Sequence, residues 1–187
     1  TMVGGLDPGG IDNAVENSLY EIMSLATEFD ADVDIHLHDR GHLGTYTYSR
    51  WLDLMEENNY QGRSAMSHGF SLGDVSEGEQ DELITRIVAN DLSIMSTIPH
   101  GQKKALPPID KIRRVGGNVY LGCDGFFDSW SSYVSSDLLE KVNNFCQITG
   151  KITEVEISQT LNLATRGLST YNDSKAPWIA VGDVANI

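Results

Sequence analysis

Four of the five histidines in this sequence fall at or just past the ends of predicted β-strands. His36 and His38 close a period-two run over Asp32–His38, His68 closes Ser64–His68, and His100 follows Leu92–Thr97. Asp124 ends a further strand over Asn118–Gly122. Imidazole and carboxylate groups together suit a borderline divalent ion, zinc or iron. Such an ion lowers the pKa of its water toward about 7 and supplies hydroxide for hydrolysis. A lone histidine at a strand end is ordinarily a hydrogen-bonded or exposed group. It is the recurrence at successive strand ends that points His36, His68 and Asp124 toward one site.

The elements that must position these groups alternate along the chain. A short extended run, Thr1–Gly5, precedes a helix from Asn13 to Phe29, with Asp12 as its expected N-cap and Val15, Leu19, Ile22, Met23 and Ala26 at helical spacing. Further helices are predicted over Thr45–Asn58, Glu77–Asn90, Asp110–Val115, Ser136–Gln147 and Glu154–Arg166. Strands separated by helices about thirty residues apart indicate βαβ units and a parallel sheet. In such a sheet the carboxyl ends of the strands share one face, so distant strand-end residues converge. A closed (β/α)₈ barrel needs eight strands and about 250 residues. The five strand ends here suit either an open α/β sheet or roughly the second half of a barrel. Thr1 at the start and the strand-like run 178–187 at the finish both read as cut ends.

Composition narrows the partners. The chain has 187 residues, 27 acidic and 13 basic, for a formal charge of −14. That balance repels phosphate backbones, so nucleic acid is not an expected partner. No stretch reaches the roughly 18 apolar residues of a membrane span, and none reads as a signal peptide. Two cysteines, Cys123 and Cys146, form neither a disulfide framework nor a zinc ribbon, which makes a reducing cytoplasm the expected location. Gly4–Gly5 lacks a phosphate-loop pattern around it, and the His-x-Glu with Pro-Cys-x-x-Cys design of other zinc deaminases is missing.

The segments Val33–Asp39, Met66–Gly69 and Leu121–Trp130 resemble bacterial cytosine deaminase and its amidohydrolase-superfamily relatives. They follow the order and spacing of that family's strands five, six and eight; Val3–Pro8 is similar to its strand four. The tail 179–187 resembles the return into the small β-sandwich that flanks the barrel. The resemblance implies a TIM-barrel-type α/β fold represented by its C-terminal half, strands four to eight. Residues 1–170 would be partial barrel and 171–187 the return segment.

The same resemblance implies roles. His36 would ligate the metal from strand five. Asp124 would touch the metal and take a proton from its water. His68 would polarise that water or shuttle a proton. Asp39 stands where the deaminases carry the glutamate that protonates the ring nitrogen. Trp130 and Asp128 would border the substrate. Two positions depart from the pattern: Asp39 is one methylene shorter than glutamate, and Gly125 stands where cytosine deaminase has a second aspartate. The superfamily's first-strand His-x-His pair should precede this chain, and strand four lacks the lysine of two-metal members, so one divalent ion is expected. Reading His36-Leu37-His38 as that first-strand pair leaves too few strands downstream.

Plainer readings stand beside these. His38 and His42 read as loop histidines. His100 lies in a Pro-rich loop, where substrate contact and solvent exposure are both open. Asp39 could cap the next element or pair with Arg40, Asp128 could hold an Asx-turn, and Trp130 could be packing. Cys123 reads as a small buried apolar group, and Asp74–Glu82 as the solvated first turn of a helix. The expected activity is metal-dependent hydrolysis of a C–N bond in a small cyclic amidine or amide, most nearly cytosine-deaminase-like. The alternative is a catalytically inactive half barrel that needs its N-terminal half or self-association, since open strand edges call for a partner.

Overall fold

A computed structural model describes residues 1–98, 106–129 and 132–165. The chain divides into two units, Thr1–Val119 and Tyr120–Ile187. In the first, strands β1 (Met2–Leu6), β2 (Asp32–Leu37), β3 (Ser64–His68) and β4 (Ser93–Ser96) alternate with helices α1 (Val15–Glu28), α2 (Gly41–Asn58), α3 (Glu77–Ala89) and α4 (Ile109–Arg114). Each successive pair from β1 to β4 is parallel, as the βαβ spacing requires. The strands follow chain order in a five-stranded sheet whose last member, β5 (Val119–Leu121), begins at the end of this unit.

The register explains both faces. Gly5, Ile35, Met66 and Ile94 form one row. Ile35, Met66 and Ile94 are fully buried, and a Cβ at Gly5 would lie 2.4 Å from Ile22 Cδ1 of α1, so this row faces the helices. Leu19, Ile22, Met23 and Ala26 of α1, Tyr48, Trp51, Leu52 and Met55 of α2, and Leu83, Ile84 and Ile87 of α3 complete the core. Burial of each large apolar side chain contributes about 1.5–3 kcal/mol. The adjacent row, Leu6, His36, Ser67 and Met95, lies on the opposite face by alternation.

Helix starts depart from expectation for local reasons. Asp12 does not cap α1. Asn13 turns left-handed at φ 53°, the helix begins at Val15, and the Asp12 carboxylate accepts the Ser18 hydroxyl at 2.7 Å. α2 begins four residues before the predicted Thr45, because Asp74 accepts the Gly41 N–H at 3.1 Å from thirty-three residues away. Asp74 is therefore not a freely solvated first-turn residue. It also takes two guanidinium bonds from Arg40 at 2.6 Å, which hold its carboxyl below the ordinary range. The rest of the acidic run opens α3, where Ser76 caps Glu79 N–H and Glu77 and Glu79 face the positive helix end.

The second unit holds α5 (Leu138–Thr149), α6 (Glu154–Thr160) and α7 (Asn162–Thr165). Asp137 caps α5, and Thr153 with Glu156 closes a capping box at α6. The single helix predicted over Glu154–Arg166 is broken at Leu161. Val142, Phe145, Cys146 and Leu163 are buried in this unit, while Cys123 is half-exposed rather than buried. No helix among the described residues is long and apolar enough to cross a membrane. The expected return segment 171–187 lies outside the described residues.

Candidate metal centre

Three histidines meet at the carboxyl rim of the first unit. His36 Nε2 lies 2.8 Å from His68 Nε2 and 3.2 Å from His38 Nε2, and the three ring centroids are 4.4–4.6 Å apart. Alternation accounts for His36 and His38, which share a face two residues apart. It does not account for His68. That residue pairs with Leu37, whose side chain is buried among the helices, so the pleat alone would turn the imidazole away from His36. His68 instead adopts φ 69°, and the left-handed twist brings its ring to the rim. Such a conformation costs a non-glycine residue about 1–2 kcal/mol. The ring is 2% exposed and rests 4.7 Å from the Phe70 ring, with Thr97 Oγ1 3.4 Å from Nδ1.

Asp7 makes the same departure. It continues β1 into the row of Leu37, its N–H donates to the His36 carbonyl at 3.0 Å, and its φ of 41° is left-handed. Its carboxylate accepts the His38 backbone N–H on Oδ1 and lies 2.7 Å from His38 Nδ1 through Oδ2. Asp7 is 7% exposed.

The donor set fits a divalent ion. A tetrahedral ion with nitrogen ligands at about 2.0–2.1 Å sets those nitrogens about 3.3–3.4 Å apart. The 3.2 Å separation of His36 and His38 is close to that edge, and His68 is slightly nearer. His38 is thus not the plain loop histidine expected from the sequence, because its position two residues beyond His36 puts it on the rim. His42 is not in a loop either. It sits in the first turn of α2, its side chain 85% exposed and Nδ1 3.3 Å from Glu79 Oε1.

Asp39 is engaged with the loop after β1. Its Oδ2 accepts the N–H of Gly9 at 3.2 Å and of Gly10 at 3.1 Å, while Arg40 pairs with Asp74. In the second unit Asp124 follows β5 with φ 56°, a third left-handed aspartate or histidine among the predicted and observed site residues. Asp128 occupies the space that Gly125 leaves: a Cβ there would lie 2.2 Å from Asp128 Oδ2. The Asp128 carbonyl also accepts the Ser132 hydroxyl at 2.9 Å. His100 and Trp130 lie outside the described residues.

Sequence reasoning missed Asp7 and undervalued His38. Asp7-Pro8 reads as a turn, and the available signal was an acidic residue directly after a strand that runs beside the histidine strand.

A parallel α/β sheet with histidines gathered at its carboxyl rim is an arrangement suited to holding a metal ion, and comparison with known proteins gives the family. Residues 6–187 match the amidohydrolase family, and the chain belongs to it. It is 35% identical over 172 residues to the uncharacterized protein YahJ of Escherichia coli (strain K12), covering 91% of this chain and 37% of that protein. It is 30% identical over 139 residues to N-isopropylammelide isopropyl amidohydrolase of Pseudomonas sp. (strain ADP), covering 74% of this chain and 34% of the other. Among solved structures, N-isopropylammelide isopropylaminohydrolase of Burkholderia multivorans superposes with a TM-score of 0.81 at 28% identity, over 88% of this chain and 42% of that one. A 5-methylcytosine deaminase of Klebsiella pneumoniae with bound phosphonocytosine shares the fold at TM-score 0.76 and 16% identity, over 87% and 43%. The chain therefore spans under half the length of these relatives. The expected resemblance to the amidohydrolases holds, and the deaminase likeness extends to the fold.

Proposed function

We propose that this chain carries part of the active site of a mononuclear, metal-dependent amidohydrolase that hydrolyses a C–N bond of a small cyclic amidine or amide. The observation that carries the reading is the convergence of His36, His38 and His68 at one sheet rim. A solved relative of similar fold acts on N-isopropylammelide by its name, and another holds phosphonocytosine, so a nucleobase-like or triazine-like ring is the substrate class. Residues 1–187 correspond to the C-terminal half of a barrel in this reading, and the whole enzyme's activity belongs to the polypeptide that completes it.

A divalent ion, zinc or iron, held by His36 and Asp124 would supply a Lewis acid and acidify water. Asp124 accepts the proton of the attacking water. His68, buried and close to His36, polarises that water and passes a proton toward the leaving nitrogen. Asp39 is anchored through Oδ2 by two amides and offers Oδ1 to a ring nitrogen. The same reading assigns Asp128, Trp130 and His100 to substrate contact. Negative charge developing on the oxygen of the attacked carbon would be stabilised by such an ion.

The test is Asp124→Asn in the intact protein, assayed on cyclic amines and amides. Turnover should fall by three orders of magnitude or more, and unchanged activity would sink the assignment. Metal analysis of the same preparations should find one zinc or iron per chain.

A further inference from the structure

Asp7 has no part in the function set out above, yet it is a nearly buried carboxylate with both oxygens on one residue, His38. Its two oxygens grip His38 twice, Oδ1 on the backbone N–H and Oδ2 at 2.7 Å from ring Nδ1. A carboxylate oxygen accepts, so the ring proton of a neutral His38 sits on Nδ1 and the lone pair on Nε2. That Nε2 faces His36 Nε2 at 3.2 Å. Two imidazole nitrogens that close are either a donor and an acceptor or two lone pairs turned on a shared cation. By taking the Nδ1 proton, Asp7 selects the second arrangement for His38.

We propose that Asp7 is a positioning residue that makes His38 a nitrogen donor to the divalent ion shared with His36, a carboxylate–histidine–metal arrangement built across β1 and β2. The inference rests on the metal-site reading of the cluster. Three features of the chain support it. Asp7 is locked in register by its N–H bond to the His36 carbonyl, so the carboxylate and the ring it holds sit on adjacent strands. Its left-handed backbone turns the side chain from the helix-facing row to the rim, a conformation that aspartate tolerates better than most residues. Its low exposure keeps water from competing for Oδ2. Carboxylates of this kind fix the tautomer and ring orientation of metal-bound histidines, and their loss typically lowers metal affinity 10–100-fold.

The experiment has two arms on the full chain. Long-range proton–nitrogen correlation spectra of nitrogen-15-labelled protein, recorded at mildly alkaline pH, report which ring nitrogen holds the proton. His38 should carry it on Nδ1, and Asp7→Asn, which keeps the side-chain shape and the tolerance of positive φ, should mix the tautomers. Zinc titration against a competing chelator should then show affinity about 10–100-fold weaker for Asp7→Asn, as weak or weaker for His38→Ala, and unchanged for the exposed control His42→Ala. A proton on Nε2 of wild-type His38 overturns the proposal. So does zinc affinity that Asp7→Asn and His38→Ala leave intact while His36→Ala abolishes it, an outcome that spares the functional reading. A wild-type chain that binds no zinc overturns the ligand role and spares the functional reading, which rests on the completed polypeptide, and the tautomer spectra still judge the hold of Asp7 on His38.

Discussion

The interior of the sheet and its carboxyl rim follow opposite rules. One row inward, Gly5, Ile35, Met66 and Ile94 keep strict alternation and pack against the helices. At the rim, the residues on either side of Leu37 abandon it. Asp7 and His68 both turn left-handed, and both exchange a place on the helix side for a place at the rim, Asp7 beside His38 and His68 beside His36. The interior gains by burying apolar surface. The rim spends about 1–2 kcal/mol per left-handed residue to aim polar groups that the pleat would misdirect. Stability and chemistry are thus set one residue apart on the same strands.

Substitutions can pull the two regions apart. The largest effect belongs to the rim: His36→Ala should lower zinc affinity by more than the roughly 100-fold upper range for outer carboxylates, with thermal unfolding of the metal-free chain little changed. A wild-type zinc isotherm would show that the histidines do not hold the ion. The interior gives the converse. Ile35→Ala should destabilise the fold by about 2–5 kcal/mol, read by denaturant unfolding, while the folded fraction keeps its zinc affinity.

A finer test separates backbone from side chain at His68. His68→Gly and His68→Ala both remove the imidazole, but glycine accepts φ 69° without strain, so His68→Gly should be the more stable by about 1 kcal/mol. Equal stabilities would mean that the twist is not stored at this residue. The smallest effect concerns Asp74. Arg40 lowers its folded pKa below the unfolded value of about 3.9. Its contribution is therefore present above pH 4 and is lost as pH falls through the folded value. With Arg40 half-exposed the pair is worth at most about 1 kcal/mol. Asp74→Asn should flatten the acid limb of the stability curve by that amount, and an unchanged limb would remove the pair from the account.

The contrast also explains what could be read from the sequence. β3 falls at Ser64–His68 as predicted, and α3 ends one residue early, its Leu83, Ile84 and Ile87 buried at helical spacing. The start of α2 was hidden, since the acid that satisfies Gly41 N–H lies thirty-three residues on. His36 was legible from its strand end. His68 belonged to the wrong face by alternation, and its membership came from its place at the end of the next strand and from the family resemblance. Asp7 was missed because Asp7-Pro8 reads as a turn, and the left-handed backbone that aims its carboxylate at the neighbouring strand is not written in the local sequence. His38 was set aside for its loop position, although spacing put it on the face of His36.

Asp39 and the glycines it holds have a meaning for how this loop can be inherited. A Cβ at Gly10 would lie 2.4 Å from Asp39 Oδ1, and one at Gly9 would lie 2.8 Å from Oδ2. The short acid and the two bare backbones therefore fill one another's space. A lineage that lengthens the acid to glutamate must reshape the loop in the same step, and one that adds a side chain at either glycine must displace the acid. The three positions, two on one βα loop and one on the next, form a single unit of change.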